Sequence, residues 1–475
     1  MSDDILVKVP RSMAAVTSAF EALLVTVRAQ ADRGATLGPS EYDTFEAELA
    51  QRAGAIERAA HGVTLAALDV DSPGLLIDGR SYRRVLRSES AYRTLAGEVP
   101  VMRTLYRESG NPDKRAMDVV SLRAGVVEDG WLPATARAMA FLLQQGTSRE
   151  AETATKQIGR LPYSRSSFER VGHAVGHRYV GQRTTIERTL IEDEEVPEQA
   201  RSISASLDRV SVPMEEPRER PVGRPRRGDA KQPITRVYRM AYVATVSLHD
   251  GQGDTLRTIR YGTMPGGDAE RLCLGVADDV LMLLAKRPRL KLALLCDGAP
   301  EMWNLLDAEF DVESFGRKPI RRLIDFWHTI EKLGKAARVI HGDGAPQAIA
   351  RWRLGLLNRT SAREVILHEL RESGCEDVEV GESKPVHDAI TYLDNAAGRM
   401  DYARARKLGL PIGSGNVEAT CKSLVDVRMK RAGSRWKIDT GEHVIQLRAL
   451  ALSDRWDRAM DLALAPPRVR IRRAA

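Results

Sequence analysis

The sequence predicts a mixed α/β chain, and three stretches carry that expectation. Val237–Leu248 and Thr255–Tyr261 alternate around the turn HDGQGD as a long antiparallel hairpin would. Lys291–Cys296 (KLALLC) is a short apolar run suited to a central strand buried on both faces. Between them, Gly267–Lys286 carries Leu272, Val276, Val280 and Leu284 at helical spacing.

From the N-terminus, residues 10–62 read as two helices. Met13, Val16, Phe20, Leu23 and Leu24 form one apolar stripe, and Phe45, Leu49 and Ile56 belong to the next. Gly34 and Gly38-Pro39 mark the turn, with Ser40 as candidate N-cap. Residues 1–95 are expected to be a helical region. GEVPVMRTLYR (97–107) then alternates as one strand of a hairpin. Helices over 134–144 and 149–158, the break Leu161-Pro162-Tyr163, and a third helix from Ser164 to about Gly176 resemble a helix-turn-helix. Residues 96–190 are therefore a candidate DNA-binding region, with Ser164, Arg165, Ser166 and Arg170 as contacts; plain scaffolding is the alternative.

The acidic stretch 191–199 (IEDEEVPEQ) reads as a linker. In SISASLDRVSVPM (202–214), Ile203, Ala205 and Leu207 alternate with serines as a strand that Asp208 closes. Pro217–Arg236 carries seven basic residues against two acidic, too polar to fold alone. It is a candidate DNA-tracking arm through Arg224, Arg226 and Arg227, or else a plain surface loop. Ile320–Phe326 suits one more strand, and His328–Val339 and the segments up to about Arg406 read as helical. Three antiparallel strands followed by strands alternating with helices are the RNase H-like layout: a mixed sheet flanked by helices. The expected core is 200–340 with 407–460, interrupted by an all-helical insertion at 341–406 and followed by a basic tail at 461–475.

Bulk composition narrows the function. With 475 residues, 43% hydrophobic and 29% charged, the chain describes two or three globular domains. A net charge of +7 and a pI near 9.2 favour a polyanionic partner. The four cysteines, Cys273, Cys296, Cys375 and Cys421, form no CxxC pair, so neither a zinc site nor a disulfide framework is supported. The N-terminus has acidic residues and no apolar signal-peptide core, and apolar runs such as Ala138–Leu143 are too short to span a bilayer. A cytoplasmic, nucleoid-associated protein with no membrane partner is expected.

The densest chemistry lies in Gly409–Lys437. A glycine-rich turn leads into a helix capped by Ser414 or Asn416, with Glu418 in its first turn and Val417, Cys421, Leu424 and Val425 as its buried stripe. Arg428, Lys430, Arg431 and Arg435 follow as candidate phosphate contacts. Trp436 either stacks on a base or packs in the core, and core packing is preferred. Asp208 and Asp297 at the ends of neighbouring strands could join Glu418 in an all-oxygen cluster of the kind hard divalent cations take. Two such ions activate a hydroxyl and stabilise the leaving oxygen of a phosphodiester. Taken singly, Asp297-Gly298 is as much a turn as a ligand, and Glu418 as much a complement to the helix dipole. Asp325 and His328 are accessory candidates, with Asp325 ranked first as a helix cap. GxxxxGK[ST], GxSxG and HExxH are all missing from the sequence.

LDRVSVPM, LLCDGAPEMWNLL, LIDFWHTIEKL and GLPIGSGNVEATCKSLVDVRMKRAGSRWK together resemble the ISKra-type bacterial insertion-sequence transposases. The resemblance covers roughly residues 130–460 and is strongest from Cys296 onward. It implies an RNase H-like core with a DDE triad on Asp208, Asp297 and Glu418. It also implies two Mg²⁺ ions, with Mn²⁺ as a substitute, that cut element ends and join them to target DNA. Double-stranded DNA and further copies of the chain would be the partners. Arg209 stands where the family has Gly, which weakens the assignment of Asp208 and leaves Asp250 as fallback. The competing functions are a non-catalytic DNA-binding derivative and a structure-specific nuclease on the same fold.

Overall fold

The computed structural model describes residues 7–34, 38–111, 113–215, 236–316 and 318–474. The arm candidates Arg224, Arg226 and Arg227 lie outside the described residues. The chain divides into two compact units, Met1–Gln182 with Asp457–Ala475, and Arg183–Trp456.

The first unit opens with helices Ala14–Ala31 and Pro39–Ala67. The second is capped at Gly38 rather than Ser40: Pro39 takes the first helical position, where its missing N–H costs nothing, and Glu41 accepts the Gly38 N–H at 2.8 Å. The region to residue 95 is not wholly helical. Strands β1 (Gly74–Ile77) and β2 (Arg80–Thr94) lie within it, and β2 makes the anticipated hairpin with β3 (Gly97–Glu108). A short β4 (Met117–Asp118) follows, and the C-terminal strand Ile471–Arg473 pairs with β1, so the basic tail is a sheet edge. Within the stretch expected as a basic tail, pairing such as Leu75↔Arg473 satisfies the backbone. The third helix of the helix-turn-helix candidate runs from Arg165 to Asp193, far past Gly176.

The second unit holds the mixed sheet. Strands β5 (Ser202–Glu215), β6 (Arg236–His249), β7 (Thr255–Thr263), β8 (Lys291–Cys296) and β9 (Ile320–Ile324) stand in the order β7-β6-β5-β8-β9. The first three are antiparallel, while β5-β8 and β8-β9 are parallel. Both faces are covered. One core joins β8 to helix Ala269–Lys286 and, unexpectedly, to the insertion, with Ile366, Leu370, Val386 and Leu393 in the same cluster as Leu294. On the other face Val210, Val212, Val243 and Met264 pack against Val417, Cys421, Leu424 and Ile445. Asp208 does not close its strand: β5 runs on to Glu215 because β6 continues beside it, although pairing with β8 stops at Leu207↔Cys296.

Candidate metal and phosphodiester site

Register brings three aspartates into one row. Leu207 pairs with Cys296 and Cys296 with Ile324, so Asp208, Asp297 and Asp325 follow at the same level on three adjacent parallel strands. The Asp325 N–H still donates to the Cys296 carbonyl at 2.9 Å. With strands about 4.8 Å apart, the row spans about 10 Å. Leaving a parallel sheet at its carboxyl end, the chain turns at Gly298, where a Cβ would stand 2.4 Å from the Tyr392 ring. Asp297 Oδ1 caps this turn from the Ala299 N–H at 3.0 Å.

The fourth carboxylate arrives from the helix Gly415–Thr420. Val417 and Cys421 anchor it on β5, as the apolar stripe predicted. The Cys421 thiol, 3.4 Å from Asp208 Oδ2, donates to that carboxylate. Directly after it the helix widens to a π-turn over Cys421–Asp426, which shifts the packing register by one residue. Glu418 Oε1 accepts from Ser414 Oγ at 3.3 Å and lies 3.7 Å from His328 Nδ1.

Asp325 holds the assembly together. Fully buried, it caps helix Phe326–His341 through the His328 N–H at 2.7 Å, the role ranked first for it. Its Oδ2 accepts both the N–H and the Oγ of Ser414, the latter at 2.9 Å. Gly413 allows this approach, since a Cβ there would meet Trp327 at 3.1 Å and Asp325 Oδ2 at 3.4 Å. Ser414 thus caps no N–H of its own helix; it ties Asp325 to Glu418.

Charges in the cluster shape one another. Burial holds the Asp208 carboxyl above the usual carboxylate range, and the negative charges of Asp297 and Glu418 add to this. Burial would also raise Asp325, but hydrogen bonds from His328 and Ser414 outweigh it and hold that carboxyl low. The Asp325 carboxylate, 3.4 Å from His328 Nδ1, pushes that imidazole up to about 9, with Glu418 and Asp297 contributing. Among the described residues, Asp325, His328 and Glu418 bring their ligand atoms within 4.8 Å of one another, a tighter set than the predicted triad. Asp325 already accepts three hydrogen bonds, so it reads as the clip of the site. Asp208, Asp297 and Glu418 are carboxylates gathered against their mutual repulsion, a donor set that fits hard divalent cations.

Arg209 does not crowd this set. Alternation along β5 turns it to the face opposite Asp208, where its guanidinium pairs with Glu301, which also accepts the Tyr242 hydroxyl at 2.5 Å. The fallback Asp250 is excluded by register. Ser202 pairs with His249 while Asp208 pairs with Val243, which puts Asp250 about 20 Å away at 3.3 Å per residue.

The basic tract separates. Arg428 is buried with its guanidinium 5.0 Å from the Trp436 ring centre, so it is not a phosphate contact. Trp436 packs in the core, donating to the Met429 carbonyl at 3.0 Å. Exposed Lys430 and Arg435 pair with Asp426 and Glu215 at 2.8 and 3.5 Å, and half-buried Arg431 reaches the Val427 carbonyl at 3.2 Å. In the first unit Ser164 and Arg165 are exposed, with Ser164 bonded to Ser166 and Ser167, whereas Arg170 is paired to Asp129 at 2.7 Å. Sequence reasoning missed Ser414 as the link, the Cys421 thiol, and Tyr392 over Gly298. It also missed exposed Trp327, next to Asp325 and under the Arg353 guanidinium at 5.1 Å. The run Phe326-Trp327-His328 was the available signal for the last of these.

No protein-family model matches the chain, and no curated protein matches it. A solved structure, "Mos1 transposase paired-end complex with left transposon end", is similar over 58% of this chain and 77% of that chain, at 12% identity and a TM-score of 0.17. A superposition that loose says nothing about how this chain folds or acts.

Proposed function

We propose that the chain is a DDE-type DNA transposase of the ISKra kind, with the Arg183–Trp456 unit as an RNase H-like catalytic core. The observation that carries this reading is the row Asp208–Asp297 at the ends of adjacent parallel strands, with Glu418 delivered from a helix on the same sheet face. Asp208, Asp297 and Glu418 would hold two Mg²⁺ ions, which supply a polarised hydroxyl and charge relief for the leaving oxygen of a phosphodiester. The protein's own part is to keep those carboxylates in place: Asp325 fixes Ser414, Ser414 orients Glu418, and Cys421 orients Asp208. Lys430, Arg431 and Arg435 are the phosphate contacts at the end of the Glu418 segment, and Ser164 and Arg165 those of the first unit. Element ends and target DNA are the substrates, and the setting is the bacterial cytoplasm.

The test is to incubate the full chain with a labelled element end, a target plasmid and Mg²⁺. Joined product that disappears in Glu418→Gln supports transposition. Cut but unjoined DNA would make it a nuclease, and bound, uncut DNA a non-catalytic binder.

A further inference from the structure

The helix Ala14–Ala31 has two apolar stripes and uses one. Val16, Leu23, Thr26 and Gln30 lie toward helix Pro39–Ala67, where the Thr26 hydroxyl donates to Glu48 at 3.2 Å. Met13, Phe20, Leu24 and Val27 form the second stripe and are 44%, 48%, 50% and 39% exposed. At 3.6 residues per turn the two stripes are centred about 90° apart. A helix at the corner of a four-helix bundle meets its two neighbours on faces separated in that way. Among the described residues, one neighbour is in place and the other is not.

We propose that a second copy of this chain supplies it, two N-terminal hairpins closing into an intermolecular four-helix bundle. Charge decides between occupants. From Met13 to Ala31 the only charged residues are Glu21 and Arg28, both exposed on the flank of the bare stripe. An antiparallel, twofold pairing centred between Leu24 and Val25 sets Glu21 of each copy opposite Arg28 of the other, and Phe20, Leu24 and Val27 about that axis. By length and composition the helix Arg11–Ala31 could also cross a bilayer, unlike the shorter runs considered from sequence. A bilayer would surround it, however, and its inner stripe is tied to a neighbour bearing Glu41, Asp43, Glu46, Glu48 and Arg52. Burying such a helix in lipid is costly, whereas a matching protein face leaves those charges in water.

Sedimentation velocity on the full chain without DNA tests the proposal. A dimer at micromolar concentration is expected, with Phe20→Glu/Leu24→Glu raising its dissociation constant at least about tenfold while helicity is unchanged. Glu21→Arg should weaken the dimer, and Glu21→Arg/Arg28→Glu should restore it. Ile158→Glu, an exposed position in another helix, is the control and should leave the dimer intact. A monomeric wild-type chain, or a dimer indifferent to the Phe20 and Leu24 changes, would overturn it. So would a monomer that floats with phosphatidylcholine vesicles through Phe20 and Leu24.

Discussion

Each of the two sheets holds an aspartate withdrawn from solvent, Asp118 buried and Asp208 half-buried, and the two are treated in opposite ways. In the first unit Asp118 is satisfied: Ser121 N–H and Tyr92 hydroxyl donate to Oδ1 at 2.6 and 3.0 Å, and Ser121 hydroxyl and the Arg103 guanidinium to Oδ2. In the second unit Asp208 receives, among the described residues, only its neighbour's N–H and a thiol, and faces two more carboxylates. Antiparallel hairpins build their polar contacts locally, so a charge can be matched where it arises. Parallel strands end together, and what gathers at their ends comes from distant parts of the chain. A site that gathers like charge with so few donors gives up stability, and under the proposed function it does so for chemistry.

The largest break in this comparison should come from the unmatched side. Asp208→Asn and Glu418→Gln each should lower DNA strand cleavage at least about a thousandfold, about 4 kcal/mol of barrier, as read by single-turnover assay. Asp208→Asn should not lower the melting temperature, because it removes repulsion, and Glu418→Gln should change it little, because the repulsion it relieves offsets the lost attraction to His328. A melting temperature that fell with activity would mean these carboxylates hold the fold.

Asp118→Asn is the converse. Leaving Arg103 without its partner should cost about 3 kcal/mol in urea unfolding of the first unit. DNA cleavage per folded molecule should be unaffected.

The same contrast shows what sequence could disclose. Lys291–Cys296 was legible to the residue, because a run of five apolar residues behind a lysine has one economical use in an α/β chain. Asp208 was named, yet placed at a strand end. The extension to Glu215 depends on β6 running alongside, a tertiary fact that local alternation does not contain. Arg428 looked like its basic neighbours until Trp436 folded over it. Most of the cluster was reachable as residue types on elements. Ser414 was not, because its role is set by Asp325, 89 residues earlier in the chain.

Acid offers a gentler probe of the second sheet. His249, buried at the end of β6 with Nε2 2.7 Å from the Ser204 hydroxyl, has its pKa pushed down to about 4 by that burial. The unfolded chain therefore takes up a proton on this imidazole first, near pH 6.5, and the folded chain only near 4. Its contribution is intact above pH 6.5 and lost as pH falls through that window, up to about 3 kcal/mol. Thermal melts between pH 7 and 4 should show this slope, and His249→Gln should flatten it.

The smallest expected effect separates the sheets by their faces. The second sheet is covered on both sides, but β3 alternates buried Val99 and Val101 with Met102, which is 44% exposed. An antiparallel sheet tolerates such an open face because its inward residues already make the core. Met102→Ala removes side-chain atoms that still touch water, so no cavity is left behind. The change in unfolding free energy should stay within about 0.5 kcal/mol. A loss of 2 kcal/mol or more, of the size typical for emptying a core position, would mean that this face of the first sheet is covered in solution, as both faces of the second are.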